Sequence, residues 1–116
     1  MKGLLKITVL LLFAALCSCT GVSEQDRMFL EIDRLCDSVP EEAMRCLDSI
    51  DPKPLSERDL NRYRLLWIKS RDKAYVNHTS DTLILDVIDY YDRHRNDGLY
   101  PEALYYGGRV YSDLGD

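Results

Sequence analysis

His78 and His94 are the two histidines of the chain, and imidazole is the group that proton-transfer and metal sites use most often. Neither has a second histidine or a cysteine three or four positions away, the spacing that sets two ligands on one helical face. Asp86, Asp89 and Asp92 recur at intervals of three, the pattern of a solvated helix face on which Asp89 pairs with Arg93 one turn later. A calcium loop would need alternating oxygen ligands about a glycine turn, and none is present. The chain also lacks a glycine-rich phosphate loop, a nucleophile elbow and a zinc-protease helix. These residues predict no metal site, no cofactor and no enzymatic activity.

The N-terminus carries a different kind of signal. Lys2 and Lys6 precede an apolar run, Ile7 to Leu16, and small residues lead to Cys19; these are the parts of a secretory signal peptide. The run is about half of the ~20 residues that a membrane-spanning helix needs. Leu16-Cys17-Ser18-Cys19 resembles the lipobox of bacterial lipoproteins. That resemblance implies lipidation of Cys19, which becomes the first residue of a mature chain held in the cell envelope, at the outer membrane, on its periplasmic or surface face. Several acyl chains anchor durably where one does not. The expected organisation is a signal peptide over 1–18, a tether over 19–24 and a helical domain over 25–116.

Removing residues 1–18 takes the formal charge from -5 to -7, because Lys2 and Lys6 leave. An acidic chain whose longest basic run is Arg93-His94-Arg95 is poorly suited to nucleic acid. Hydrophobic residues at 46% and charged residues at 30% indicate a globular domain. Cys36 and Cys46 remain, in a compartment where a disulfide is allowed. A hairpin turning near Val39 would place Cys46 about one turn, ~5 Å, beyond the level of Cys36. Two buried thiols are therefore expected.

The elements that position these residues read as helices throughout, and the fold class is all-α. Ser23 is placed to cap a first helix, whose apolar residues Met28, Phe29, Ile32, Leu35 and Cys36 recur at three and four. Ser38-Val39-Pro40 stops it and starts a second, with Ala43, Leu47 and Ile50 on one side. Asp51-Pro52-Lys53-Pro54 ends that helix. Ser56 caps a third of about five turns, with Leu60, Tyr63, Leu66, Trp67 and Ala74 as its stripe. A fourth begins at Asp81 or Thr82 and carries Ile84, Val87, Ile88 and Tyr91; Asn96-Asp97-Gly98 closes it. Pro101 opens a fifth, Glu102 to Asp113.

The fifth helix carries a resemblance of its own. Leu104, the small Gly108 four residues on, Tyr111 and the Leu114-Gly115-Asp116 turn resemble the first helix of a tetratricopeptide repeat. Pro40-Glu41-Glu42-Ala43 with Leu47 and Ile50 is similar to the second helix of such a repeat. Gly107 departs from the pattern, which normally has a leucine there. With the lipobox, the layout is similar to Gram-negative tetratricopeptide-repeat lipoproteins. The resemblance implies antiparallel helix pairs beginning an α-solenoid, an incomplete last repeat, and a truncated N-terminal portion of a longer protein. It also implies that Tyr105, Arg109 and Ser112 line a concave face that meets a protein or peptide partner. In some relatives such a region is the sensory N-terminal part of a signalling or transcriptional regulator.

Eight tyrosines are present, among them the adjacent pairs Tyr90-Tyr91 and Tyr105-Tyr106. Neighbours on a helix point in different directions, so one of each pair is expected at the surface. Asp37-Ser38-Val39, Asp48-Ser49-Ile50 and Asp81-Thr82-Leu83 share a form that looks like an O-glycosylation acceptor of some Gram-negative anaerobes, at Ser38, Ser49 and Thr82. Capping and turn chemistry uses the same residue types.

Overall fold

The computed structural model describes residues 23–115. The signal segment 1–18, Cys19 and the tether as far as residue 22 lie outside the described residues. Five helices follow one another: α1 (Glu24–Ser38), α2 (Pro40–Asp48), α3 (Glu57–Lys73), α4 (Thr82–Arg93) and α5 (Tyr100–Leu114), with a 3-10 turn at Arg95–Asp97 before the last. No strand occurs among the described residues, so the fold is all-α. No described helix is long and apolar enough to cross a membrane.

Short-range chemistry sets the helix ends. The Ser23 hydroxyl accepts from the Asp26 N–H at 3.1 Å and the Ser56 hydroxyl from the Asp59 N–H at 3.2 Å, satisfying donors that a first turn leaves free. Pro40 and Pro101 occupy first-turn positions where no N–H is needed. Val39 alone separates α1 from α2. Gly98 and Gly115 take φ of +77° and +93° at helix ends, a conformation that costs glycine little. Tyr75 does the same job after α3 with φ +60°, an expensive choice for an aromatic residue.

Two apolar cores result. Phe29, Ile32 and Cys36 of α1 close against Ala43 and Leu47 of α2 and Leu66 of α3. Leu65 and Ile68 of α3 close against Ile84, Val87, Tyr90 and Tyr91 of α4 and Ala103, Tyr106 and Val110 of α5. Helix α3 thus belongs to both. Helices α1 and α2 pack on each other and on α3, while α4 and α5 pack on each other and on α3.

Three expectations change. The single stripe read on α3 omitted Leu65 and Ile68, which are buried because this helix is covered on two sides. Tyr90 and Tyr91 are both buried, at 4% and 1% exposure: Tyr91 faces the core, and Tyr90 packs edge-on to it and stacks on His94 at 4.1 Å. The close-approach glycine of α5 is Gly107, where an added Cβ would lie 2.8 Å from Ile88 Cδ1. Gly108 has open space around it. Tyr105 and Tyr106 do divide as expected, outside and inside. Cys36 and Cys46 are free thiols, Cys36 buried and Cys46 half-buried, and burial pushes the Cys36 thiol up to about 11.

The two glycines should respond differently to the same change. Gly108→Ala is expected to raise unfolding free energy by about 0.5–1 kcal/mol, the helix-propensity difference at an unobstructed site. Gly107→Ala must displace Ile88 and should gain less or lose stability. Urea denaturation of both variants measures this; equal gains would contradict the packing of α5 on α4.

Candidate functional site

Where the two cores meet, the contact between helices is polar and one-sided in charge. Helix α1 presents Asp26, Asp33 and Asp37; α3 presents Arg58, Arg62, Lys69 and Lys73. Arg58 reaches Asp26 at 3.2 Å, Arg62 and Lys69 reach Asp33 at 3.3 and 2.7 Å, and Lys73 reaches Asp37 at 3.6 Å. The partners advance together along both helices, so α1 and α3 run in the same direction. The same holds for α3 and α5: Lys69 meets Glu102 at 3.5 Å and Asp72 meets Arg109 at 3.1 Å.

Lys69 is the hub, with Asp33 on one neighbouring helix and Glu102 on the other. Burial disfavours its charge, but the hydrogen bond to Asp33 and then the charges of Asp33 and Glu102 outweigh it, and its pKa rises. Asp33 shows the converse. Burial opposes its charge, yet the Lys69 hydrogen bond and the Arg62 and Lys69 charges hold its carboxyl below the ordinary 3.8. Beside this seam lies a cleft of about 310 Å³ between α1, α3, Tyr91 of α4 and the turn that precedes α5. Phe29, Tyr91 and Leu99 contribute apolar surface to it, and Arg58, Asp59 and Asp97 contribute charge.

On α5, Leu104 and Tyr105 are 46% and 60% exposed. Ser112 is exposed on the same helix. Arg109 is engaged, with Nε 3.1 Å from Asp72 Oδ1 and a terminal nitrogen 3.5 Å from Asp113 Oδ1. Of the three residues expected to meet a partner, Tyr105 and Ser112 therefore face outward while Arg109 is held by two carboxylates. The hydroxyls of Ser38 and Ser49 are exposed and donate to the carbonyls of Arg34 and Cys46, at 3.1 and 2.6 Å. Thr82 opens α4, with its N–H donating to the Ser80 hydroxyl at 3.2 Å. All three take part in helix-end hydrogen bonding.

The segment between α3 and α4 holds a constellation that residue spacing did not reveal. The backbone turns at Tyr75, and the His78 N–H donates to Asp113 Oδ2 on α5 at 3.0 Å. The ring nitrogen Nε2 of His78 lies 3.3 Å from Asp72 Oδ1 and 4.0 Å from Asp113 Oδ2. Tyr111 donates from its hydroxyl to Asp81 Oδ2 at 3.1 Å, tying down the far end of the segment. The side chains of His78, Asp72 and Asp113 are only 8%, 11% and 14% exposed. A cleft of about 420 Å³ adjoins His78 and is lined also by Trp67, Arg71 and Leu83. Arg71 lies flat on Trp67, its guanidinium carbon 3.3 Å from the ring centroid. Asp72 and Asp113 are 6 and 35 residues from His78, separations that no local motif encodes.

No family model matches the chain, and neither the curated proteins nor the solved structures contain a match to it.

The Lys69 hub has a measurable signature. Lys69→Met leaves Asp33 and Glu102 without their shared cation and should cost about 1–3 kcal/mol, as for a half-buried pair broken on one side. The stability from Asp33, whose folded pKa is lowered, is present above the ordinary carboxylate range and is lost as pH falls through the lowered value. That from Lys69, whose folded pKa is raised, is complete below the ordinary 10.5 and is lost as pH rises through the raised value. The cost of Lys69→Met should therefore be largest near neutrality and shrink below about pH 4. Chemical denaturation at several pH values reads it.

Proposed function

We propose that this chain is an exported, membrane-anchored helical-repeat module that binds a protein or peptide partner in the cell envelope, with Cys19 as its lipid anchor. One observation carries the repeat reading. Helices α1, α3 and α5 form a row running in one direction, and α2 and α4 each pack between successive members of it. Side-chain bonds across that row join residues 29 to 37 apart, close to the ~34-residue period of tetratricopeptide helix pairs. The steps are unequal, since α3 begins 33 residues after α1 and α5 begins 43 after α3, so the array is degenerate. Such a stack presents extended surface, and partner segments dock on it by complementarity. The cleft beside the seam and the outward Leu104, Tyr105 and Ser112 are where contact is proposed. The anchor rests on the Lys2–Cys19 pattern alone.

A second reading is the sensory N-terminal region of a larger repeat-containing regulator. The exposed Leu104 and Tyr105 favour it, because a following helix would pack there.

Metabolic labelling with a clickable fatty acid should mark the wild-type protein and leave Cys19→Ala unmarked. Unlabelled wild type would remove the anchor from the proposal. A pull-down from envelope extract should enrich a partner over an unrelated lipoprotein. Leu104→Ser with Tyr105→Ala should weaken capture at least about tenfold, the effect of truncating a contact hot spot. Equal enrichment by the unrelated lipoprotein would count against the binding role.

A further inference from the structure

The bend after α3 does more than connect two helices: it carries an imidazole into the gap between two carboxylates from different helices. One ligand atom each from Asp72, His78 and Asp113 lie within 4.8 Å of one another. We infer that this cluster is a binding site for a first-row divalent cation of the zinc type, which ties the 74–81 link to α3 and α5.

Donor chemistry selects the ion class. One imidazole nitrogen and two carboxylate oxygens suit zinc and its neighbours; calcium and magnesium prefer oxygen alone. Three protein ligands also leave a tetrahedral ion one position for water or a partner group. Ion–ligand bonds of about 2.0–2.2 Å place neighbouring tetrahedral donors roughly 3.3–3.6 Å apart. The His78–Asp72 separation of 3.3 Å already meets that spacing, while the 4.0 Å from His78 to Asp113 and the Asp72–Asp113 spacing, within 4.8 Å, would have to close by side-chain rotation as the ion binds.

Charge points the same way. Two carboxylates face one guanidinium, Arg109, so with a neutral imidazole the cluster keeps an excess negative charge. A single Nε2 atom, with one hydrogen at most in the neutral ring, cannot donate to both acids that face it. Each acid holds a donor already, Arg109 on Asp72 and the His78 N–H on Asp113, and a carboxylate has further lone pairs with which to take a cation placed between them. Arg109, 39% exposed, is the side chain able to move outward as the ion enters, and the 420 Å³ cleft beside His78 offers an approach. The His78 N–H bond to Asp113 and the Tyr111–Asp81 bond hold the link in place independently of the ion. The ligand set is thereby preorganised.

The test uses the purified full chain in detergent micelles after chelator treatment. Calorimetric titration with zinc should show one ion per chain and a rise in melting temperature on saturation. His78→Gln and Asp113→Asn should each weaken binding by more than the ~10-fold typical of losing a supporting contact around a metal. Arg109→Gln should bind at least as tightly as the parent, because the ion replaces the guanidinium. Cobalt loading should give visible ligand-field bands without thiolate charge-transfer absorption, which separates this site from Cys19, Cys36 and Cys46. That spectrum is read on the unaltered chain and holds even if a variant fails to fold. Absence of saturable zinc uptake, uptake unchanged in both ligand variants, loss of uptake in Arg109→Gln, or a thiolate band would each overturn the assignment.

Discussion

A helix covered on two sides must be apolar on two sides, and α3 meets that demand only by burying polar groups as well. Leu66 turns toward α1 and α2, while Leu65 and Ile68 turn toward α4 and α5. Between these faces Lys69 and Ser70 are buried. Ser70 resolves its own need by donating to the Trp67 carbonyl at 3.0 Å. Lys69 cannot, since an ammonium has three donors and no carbonyl removes its charge. It requires acids, and α1 and α5 supply them. Asp33 and Glu102 follow from that requirement. Each fixes the axial level of its helix against α3.

That constraint sets direction and register together. Acids on α1 meet bases on α3 in a series that advances along both helices, whereas apolar contact between Phe29, Ile32 and Leu66 would tolerate sliding. Ion pairs of this exposure contribute little each, but misregistering them would leave half-buried charges alone, which is costly. The seam therefore acts more on which arrangement forms than on how stable it is. The second step, from α3 to α5, is built differently. Fewer helix-to-helix pairs are present, and the 74–81 link itself crosses to α5 through His78 and Asp81. A stack with one seam of paired helices and one strapped joint has unequal joints. The unequal helix spacing, 33 and then 43 residues, is the sequence-level form of that difference.

Helix ends were legible because their causes are local. Ser23, Ser56, Pro40, Pro101 and Gly115 each act within one turn of where they stand. Interior faces were legible where a helix turns a single stripe inward: Phe29, Ile32 and Cys36 on α1 form one, and all three are buried. On α3 the reading of one stripe missed Leu65 and Ile68, since they flank Leu66 and Trp67 in an unbroken apolar run that does not show which residue faces which neighbour. Tyr90 escaped the rule that adjacent tyrosines divide because His94, one turn on, provides a ring to stack against. The Asp72–His78–Asp113 cluster was illegible for another reason. Its members are brought together by the Tyr75 bend and by helix packing, and neither leaves a mark in residue spacing. The resemblance gave Gly108 as the small residue of the pattern and Gly107 as a departure from it, whereas Ile88 lies against Gly107 and leaves Gly108 open.

What remains free on the surface is then a matter of elimination by internal partners. Arg109 and Asp113 look like surface groups on a helical projection, but Arg109 is engaged by Asp72 and Asp113, and Asp113 accepts from the link at His78. Lys73, Arg58 and Arg93 are drawn to neighbouring acids. On α5, Leu104, Tyr105 and Ser112 face outward together with the open backbone at Gly108, and Leu114 is exposed at the helix end. Exposed large side chains are unremarkable by area alone. Their significance lies in their setting: Gly108 lets another backbone come close, and a tyrosine beside it supplies a large rigid contact at low entropic cost. A surface with that combination is suited to a helix or an extended segment.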